Sequence, residues 1–132
     1  MSPVAISAVG QIALEVRDID KSVAFYRDKL GLKFLFSAPP GLAFFDCADL
    51  RLMLTTPEKD VNGQLSNSTI YFKVSDIHTA YQTFLTKGIP FEDEPHRIAR
   101  LENHELWMVF FRDPDGNLFG LMCEVPLSEI AK

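Results

Sequence analysis

The segment from His96 to Glu105 holds two of the chain's three histidines, with Glu102 and Glu105 close by. An imidazole changes charge near neutral pH, so His96 and His104 could act as general acid and base. Together with the glutamates they could also form a displaced metal site. The plain alternative is an exposed loop of solvated polar side chains. No other acid–base set stands out, so these two histidines are the catalytic candidates and the catalytic group stays unassigned. Cys47 and Cys123 lie far apart without a CxxC spacing. A reactive thiolate needs a base or a cation beside it. Cys47 has Asp46 instead, and Cys123 sits in an apolar run that suits packing under a helix.

The third set is built for binding rather than proton transfer. Phe44, Phe45, Tyr71, Trp107, Phe110 and Phe111 fall in β-rich runs, and Arg51 lies in another. The phenylalanines read first as core. Tyr71, Trp107 and Arg51 carry polar ends that need partners, so pocket and core are equally open for them. Alternation in strands places Arg51 with Met53, Tyr71 with Thr69, and Gln11 with Ala13 and Glu15. Trp107 and Met108 are neighbours, so one of the two faces the same way as these.

Two similar halves must position these residues. Gly10–Val16 reads as a strand. Asp18 or Asp20 can cap a helix whose Ile19, Val23, Tyr26 and Leu30 form one apolar stripe, and Gly31 ends it. Lys33–Phe36 reads as a strand and Pro39–Gly41 as a turn. A hairpin of Leu42–Cys47 and Leu50–Leu54 turns at Ala48 and Asp49. Pro57–Asn67 is a polar linker. The order then repeats. Thr69–Val74 is a strand, Asp76 caps a helix carrying Ile77, Tyr81, Phe84 and Leu85, and Gly88 closes it. A strand begins at Phe91 and breaks at Pro95. Leu106–Phe111 and Asn117–Met122 form a hairpin around Asp113-Pro114-Asp115-Gly116, where proline and glycine suit a tight turn. Val125–Lys132 adds a short helical turn. Val16, Asp18 and Ile19 recur as Val74, Asp76 and Ile77, so one supersecondary unit is present twice. Each half is βαβββ, an α+β design.

Composition narrows the partners. A chain of 132 residues with 47% hydrophobic and 23% charged residues suits a folded domain. Its net charge of −5 disfavours nucleic acid and anionic membrane as partners. There is no run of about 18 apolar residues, so no membrane span is expected. Met1–Ile6 lacks the pattern of a secretory signal, and two unpaired thiols suit the cytoplasm.

Three features carry a resemblance: the βαβββ repeat, the run from Asp18 through Tyr26 to Leu32, and Phe111-Arg-Asp-Pro-Asp-Gly-Asn117. The chain resembles the vicinal oxygen chelate superfamily, which includes glyoxalase I, extradiol dioxygenases, methylmalonyl-CoA epimerase, and the fosfomycin and bleomycin resistance proteins. The resemblance implies a single glyoxalase-like domain over residues 1–132. It would comprise module 1 (about 8–56) and module 2 (about 68–125), with curled sheets enclosing a cleft. In metalloenzymes of that group each module supplies a His or Gln from its first strand and usually a Glu from its last. Here those positions fall on Gln11 and Thr69, and on Met53 and Gly120. A glutamine oxygen can bind a hard divalent ion, threonine is a poor ligand, thioether suits soft copper, and glycine offers nothing.

The expectation is therefore a metal-free protein without a cofactor that binds a small organic molecule, similar to the bleomycin resistance group. Gln11, Arg51, Met53, Thr69, Tyr71, Trp107 or Met108, and Gly120 would line its cleft. The alternatives are a lyase, isomerase or dioxygenase of the glyoxalase type with a displaced active site, and an interaction module without ligand. A homodimer is expected, since each module has a small core.

Overall fold

The first element exists because its side chains alternate. In β1 (Gln11–Glu15) Leu14 is buried while Gln11 and Ala13 are exposed. The computed structural model describes residue 6, residues 8–57, residue 65 and residues 67–130. The predicted linker between the halves lies largely outside the described residues. The chain divides into two compact units, Met1–Leu65 and Ser66–Lys132.

In the first unit Asp18 caps α1 (Ile19–Ala24), its carboxylate accepting the Lys21 N–H at 3.1 Å. The helix runs on into a π-helical turn over Phe25–Lys29, closed by Leu30 N–H donating to the Phe25 carbonyl at 3.1 Å. This departs from the regular stripe read from the sequence. In this turn the adjacent Phe25 and Tyr26 are both buried, edge to face at 5.3 Å. Gly31 ends the segment with φ +79°, a conformation glycine adopts without strain. β2 (Lys33–Ala38), β3 (Leu42–Cys47) and β4 (Leu50–Thr55) complete a sheet of order β1-β4-β3-β2. β1 runs parallel to β4, and the other pairs are antiparallel. One face is core: Leu14, Phe45, Leu52 and Leu54 are buried, and Tyr26 meets Phe45 at 6.0 Å.

The second unit repeats this topology as β5-β8-β7-β6. β5 (Ile70–Lys73) leads to α2 (Ile77–Thr86), where the Asp76 carboxylate accepts the His78 and Thr79 N–H groups at 3.1 and 3.2 Å. β6 (His96–Arg100), β7 (His104–Arg112) and β8 (Leu118–Pro126) follow, then a short α3 (Leu127–Ile130). The β7–β8 hairpin is longer than the sequence suggested. Its turn is held by Asp113, whose carboxylate accepts the Asp115 and Asn117 N–H groups at 3.0 and 2.8 Å. The strand expected at Phe91 is only an isolated bridge to Phe111, and the true strand starts at His96. Pro90 and Pro95 have no N–H to donate to a ladder. Between them the Asp93 side chain takes the Phe110 N–H at 3.0 Å. The core face carries Ile77, Ile89, Val109, Phe111, Phe119 and Leu121, all buried.

Candidate functional site

Each sheet has a second face, opposite its core, and most of the candidate residues lie there. In the first unit cross-strand pairing places Gln11 beside Arg51, Ala13 beside Met53, Phe44 beside Met53, and Asp46 beside Arg51. The Gln11 amide N–H donates to the Met53 sulfur at 3.7 Å, a weak acceptor. Phe36 stacks on Phe44 with centroids 4.5 Å apart, and the Arg51 guanidinium carbon lies 5.8 Å from the Phe44 centroid. Arg51 forms no ion pair among the described residues, although Asp46 is its cross-strand neighbour.

In the second unit the corresponding face carries Tyr71, Gly120, Phe110, Met108 and Met122. Tyr71 pairs with Gly120, Gly120 with Phe110, and Met122 with Met108. Thr69 is exposed just before β5. The Tyr71 ring meets Phe110 edge to face at 5.8 Å and lies across Gly120. A Cβ at position 120 would stand 2.6 Å from Tyr71 Cδ2 and 2.9 Å from Cε2. The two units can be compared by register, because Ala13 pairs with Met53 as Tyr71 pairs with Gly120. Volume has changed strands: small beside large in one unit, large beside nothing in the other. The implied ligand positions thus hold one amide, one hydroxyl, one thioether and a glycine covered by a ring. That donor set does not fit a hard divalent ion.

Trp107 is on the other face, apart from Tyr71 and Met108. Odd positions of β7 face α2, and the Trp107 ring meets His78 at 5.3 Å. Trp107 pairs with Arg97 across the strands, and its indole N–H donates to Glu105 at 3.0 Å. His78, Glu105 and Trp107, with Asp76 and Cys123, line a hollow of 350 Å³ that sequence reasoning missed. Residues from β7, β8 and the start of α2 form it, and no local motif announces that meeting. Glu105 is buried and takes a second bond from Arg97 at 3.1 Å. The Trp107 indole, with Arg97 beside it, holds the Glu105 carboxyl below the usual carboxylate range, against desolvation. A depressed folded-state pKa stabilises the fold above the ordinary carboxylate pKa. That contribution is lost as the pH falls through the lowered value. We therefore expect Glu105→Gln to flatten the acidic limb of the stability profile. The emission of Trp107, the single tryptophan, should lose its acid transition in that variant. An unchanged acid transition would exclude the assignment.

The two histidine candidates are not brought together. His96 pairs with Met108, while His104 pairs with Pro126 at the other end of β7. At the rise of a strand the two positions are roughly 13 Å apart. The His96 Nδ1 lies 3.0 Å from the Glu94 carbonyl, and the His104 Nε2 lies 3.8 Å from Glu124. Among the described residues no three His, Cys, Asp or Glu side chains gather as a metal site would need. Burial, and then Asp46, push the Cys47 thiol up, away from a reactive thiolate. Cys123 is buried.

Two βαβββ units of this strand order, one after the other in the chain, are the pattern of a known superfamily. A profile of the glyoxalase/bleomycin resistance protein/dioxygenase superfamily matches residues 8–121, and the chain belongs to that superfamily. Among its relatives, the uncharacterized protein YraH of Bacillus subtilis (strain 168) is 32% identical, covering 84% of this chain and 94% of that protein. The metallothiol transferase FosB of Lysinibacillus sphaericus (strain C3-41) is 29% identical, covering 86% of this chain and 80% of the other. Among solved structures, a lactoylglutathione lyase from Agrobacterium tumefaciens superposes with a TM-score of 0.74 at 29% identity, covering 89% and 94% of the two chains. A superfamily member from Sphaerobacter thermophilus gives 0.75 at 26%, covering 90% and 98%. No helix among the described residues is long and apolar enough to cross a membrane.

Proposed function

We propose that this protein binds a small organic molecule against the open faces of its sheets, without a divalent ion. The observation that carries this reading is the Tyr71 ring seated on Gly120. It turns a position suited to a ligating side chain into an aromatic surface, and Gln11, Met53 and Thr69 cannot make up the loss. Met108 and Phe110 extend that surface with soft and aromatic atoms, which suit an apolar ligand body. The reading includes a cytoplasmic homodimer that binds neither nucleic acid nor membrane, its assembly to be measured by sedimentation at micromolar concentration.

Protein purified without chelator should carry well under one equivalent of Zn, Ni, Mn, Fe or Co. A thermal-shift screen should show small organic molecules, and not divalent ions, raising the melting temperature, since ligands of the native state stabilise it by mass action. Stoichiometric metal that is lost in Gln11→Ala would overturn the metal-free reading.

A second reading is an enzyme of the lyase, isomerase or dioxygenase kind that works through other residues. The relatives named metallothiol transferase and lactoylglutathione lyase favour it. Under that reading His96 and His104 act separately, since they are far apart. Loss of an activity in His96→Ala or His104→Ala, with the fold intact, would establish it.

A further inference from the structure

The open face of the first unit holds a guanidinium without an ion pair or hydrogen bond among the described residues, beside a half-exposed aromatic stack. Phe36 is 47% exposed, although its ring stacks on Phe44, which is 9% exposed. The stack thus leaves one ring face of Phe36 open to solvent, with the Arg51 charge at the far side of Phe44. The Arg51 guanidinium is held near Phe44 by a cation–π contact, which orients it without neutralising it. Its donors make no hydrogen bond or ion pair among the described residues. Gln11, its cross-strand neighbour, adds an amide whose one recorded partner is a sulfur.

We propose that this face is a subsite for planar aromatic carboxylates, with Arg51 receiving the carboxylate, Phe36 stacking on the ring and Gln11 supplying a further donor. The proposal rests on the small-molecule reading above and names the ligand class for one of the two faces. A carboxylate in the plane of its ring can meet a guanidinium fork through two parallel hydrogen bonds while the ring lies flat on an aromatic neighbour. Asp46 tunes the subsite. It shares the face with Arg51 and repels an incoming anion, which disfavours a doubly charged phosphate more than a singly charged carboxylate.

Titration of the full chain with 2-naphthoate, cyclohexanecarboxylate and 2-naphthalenemethanol separates charge from planarity. The parent should bind 2-naphthoate about tenfold more tightly than 2-naphthalenemethanol, the size of one charged hydrogen bond, and severalfold more tightly than cyclohexanecarboxylate, which keeps the charge but has no ring to stack. Arg51→Gln should abolish the preference over 2-naphthalenemethanol. Phe36→Leu should narrow the preference over cyclohexanecarboxylate. Asp46→Asn should tighten 2-naphthoate severalfold. Failure of 2-naphthoate to bind the parent, or unchanged 2-naphthoate binding by a folded Arg51→Gln protein, overturns the proposal. If 2-naphthalenemethanol alone binds, and Tyr71→Ala abolishes its binding, the small-molecule reading stands and this subsite falls.

Discussion

Gly120→Glu should destabilise the protein severely and should not create a metal site. The first added atom, Cβ, would stand 2.6 Å from the Tyr71 ring and 3.3 Å from Phe110. Overpacking of that kind costs about 1–3 kcal/mol. The glutamate then adds a carboxylate to a buried position between two aromatic rings, which costs more unless it is neutralised or paired. Tyr71 is 46% exposed, so its ring has somewhere to go, and this sets the cost below that of a closed core. Tyr71→Ala combined with Gly120→Glu should recover much of the loss, with a coupling of about 0.5–3 kcal/mol between the sites. Urea denaturation of the parent, both single variants and the double variant measures that coupling. Strict additivity would mean that the ring and the glycine do not depend on each other.

Phe119→Ala should lower stability by about 3–5 kcal/mol, the usual cost of removing a buried aromatic ring. Phe119 is fully buried and sits between Phe72 and Phe111 at 5.6 and 5.4 Å, nearly parallel to both. Phe111 is itself buried on the same face. Phe36→Ala should cost far less, about 1 kcal/mol, because its ring is half exposed and stacks on Phe44. The contrast tests the two-face description, since both residues are strand phenylalanines. Equal losses in thermal melts of the two variants would contradict it.

Much of the fold was legible because local chemistry fixed it. Asp18 and Asp76 cap helices as their positions before apolar stripes imply, and Gly31, Gly88 and Gly116 take positive φ where chain reversals need it. The helix stripe missed the π-helical turn, since apolar spacing does not register the widened closure from Leu30 N–H to the Phe25 carbonyl. The strand at Phe91 was misread because apolar residues there suggested a ladder that the prolines prevent. The candidate site was legible in part. Strand parity correctly related Arg51 to Met53 and Gln11 to Ala13. Parity alone does not say which face is outward. Trp107 and Met108 are both large and apolar, and only Glu105, Arg97 and His78 reveal that Trp107 faces the helix. Phe44 read as core and is buried, but it lies on the open face against Phe36, which sequence did not single out. The contact of Tyr71 with Gly120 depends on register between strands far apart in sequence, for which no short motif exists.

The exchange of volume between neighbouring strands also constrains the order in which mutations can accumulate. A large side chain at position 120 and a ring at position 71 compete for one space in this sheet, whereas two small residues do not. A lineage leaving a ligand-bearing ancestor must therefore empty position 120 before position 71 fills. A lineage returning must clear position 71 first, through an intermediate that has lost the ring and gained no ligand. Each return step is unrewarded alone, so the geometry works as a ratchet. In this chain a ligating side chain at position 120 therefore takes two changes, one at 71 and one at 120.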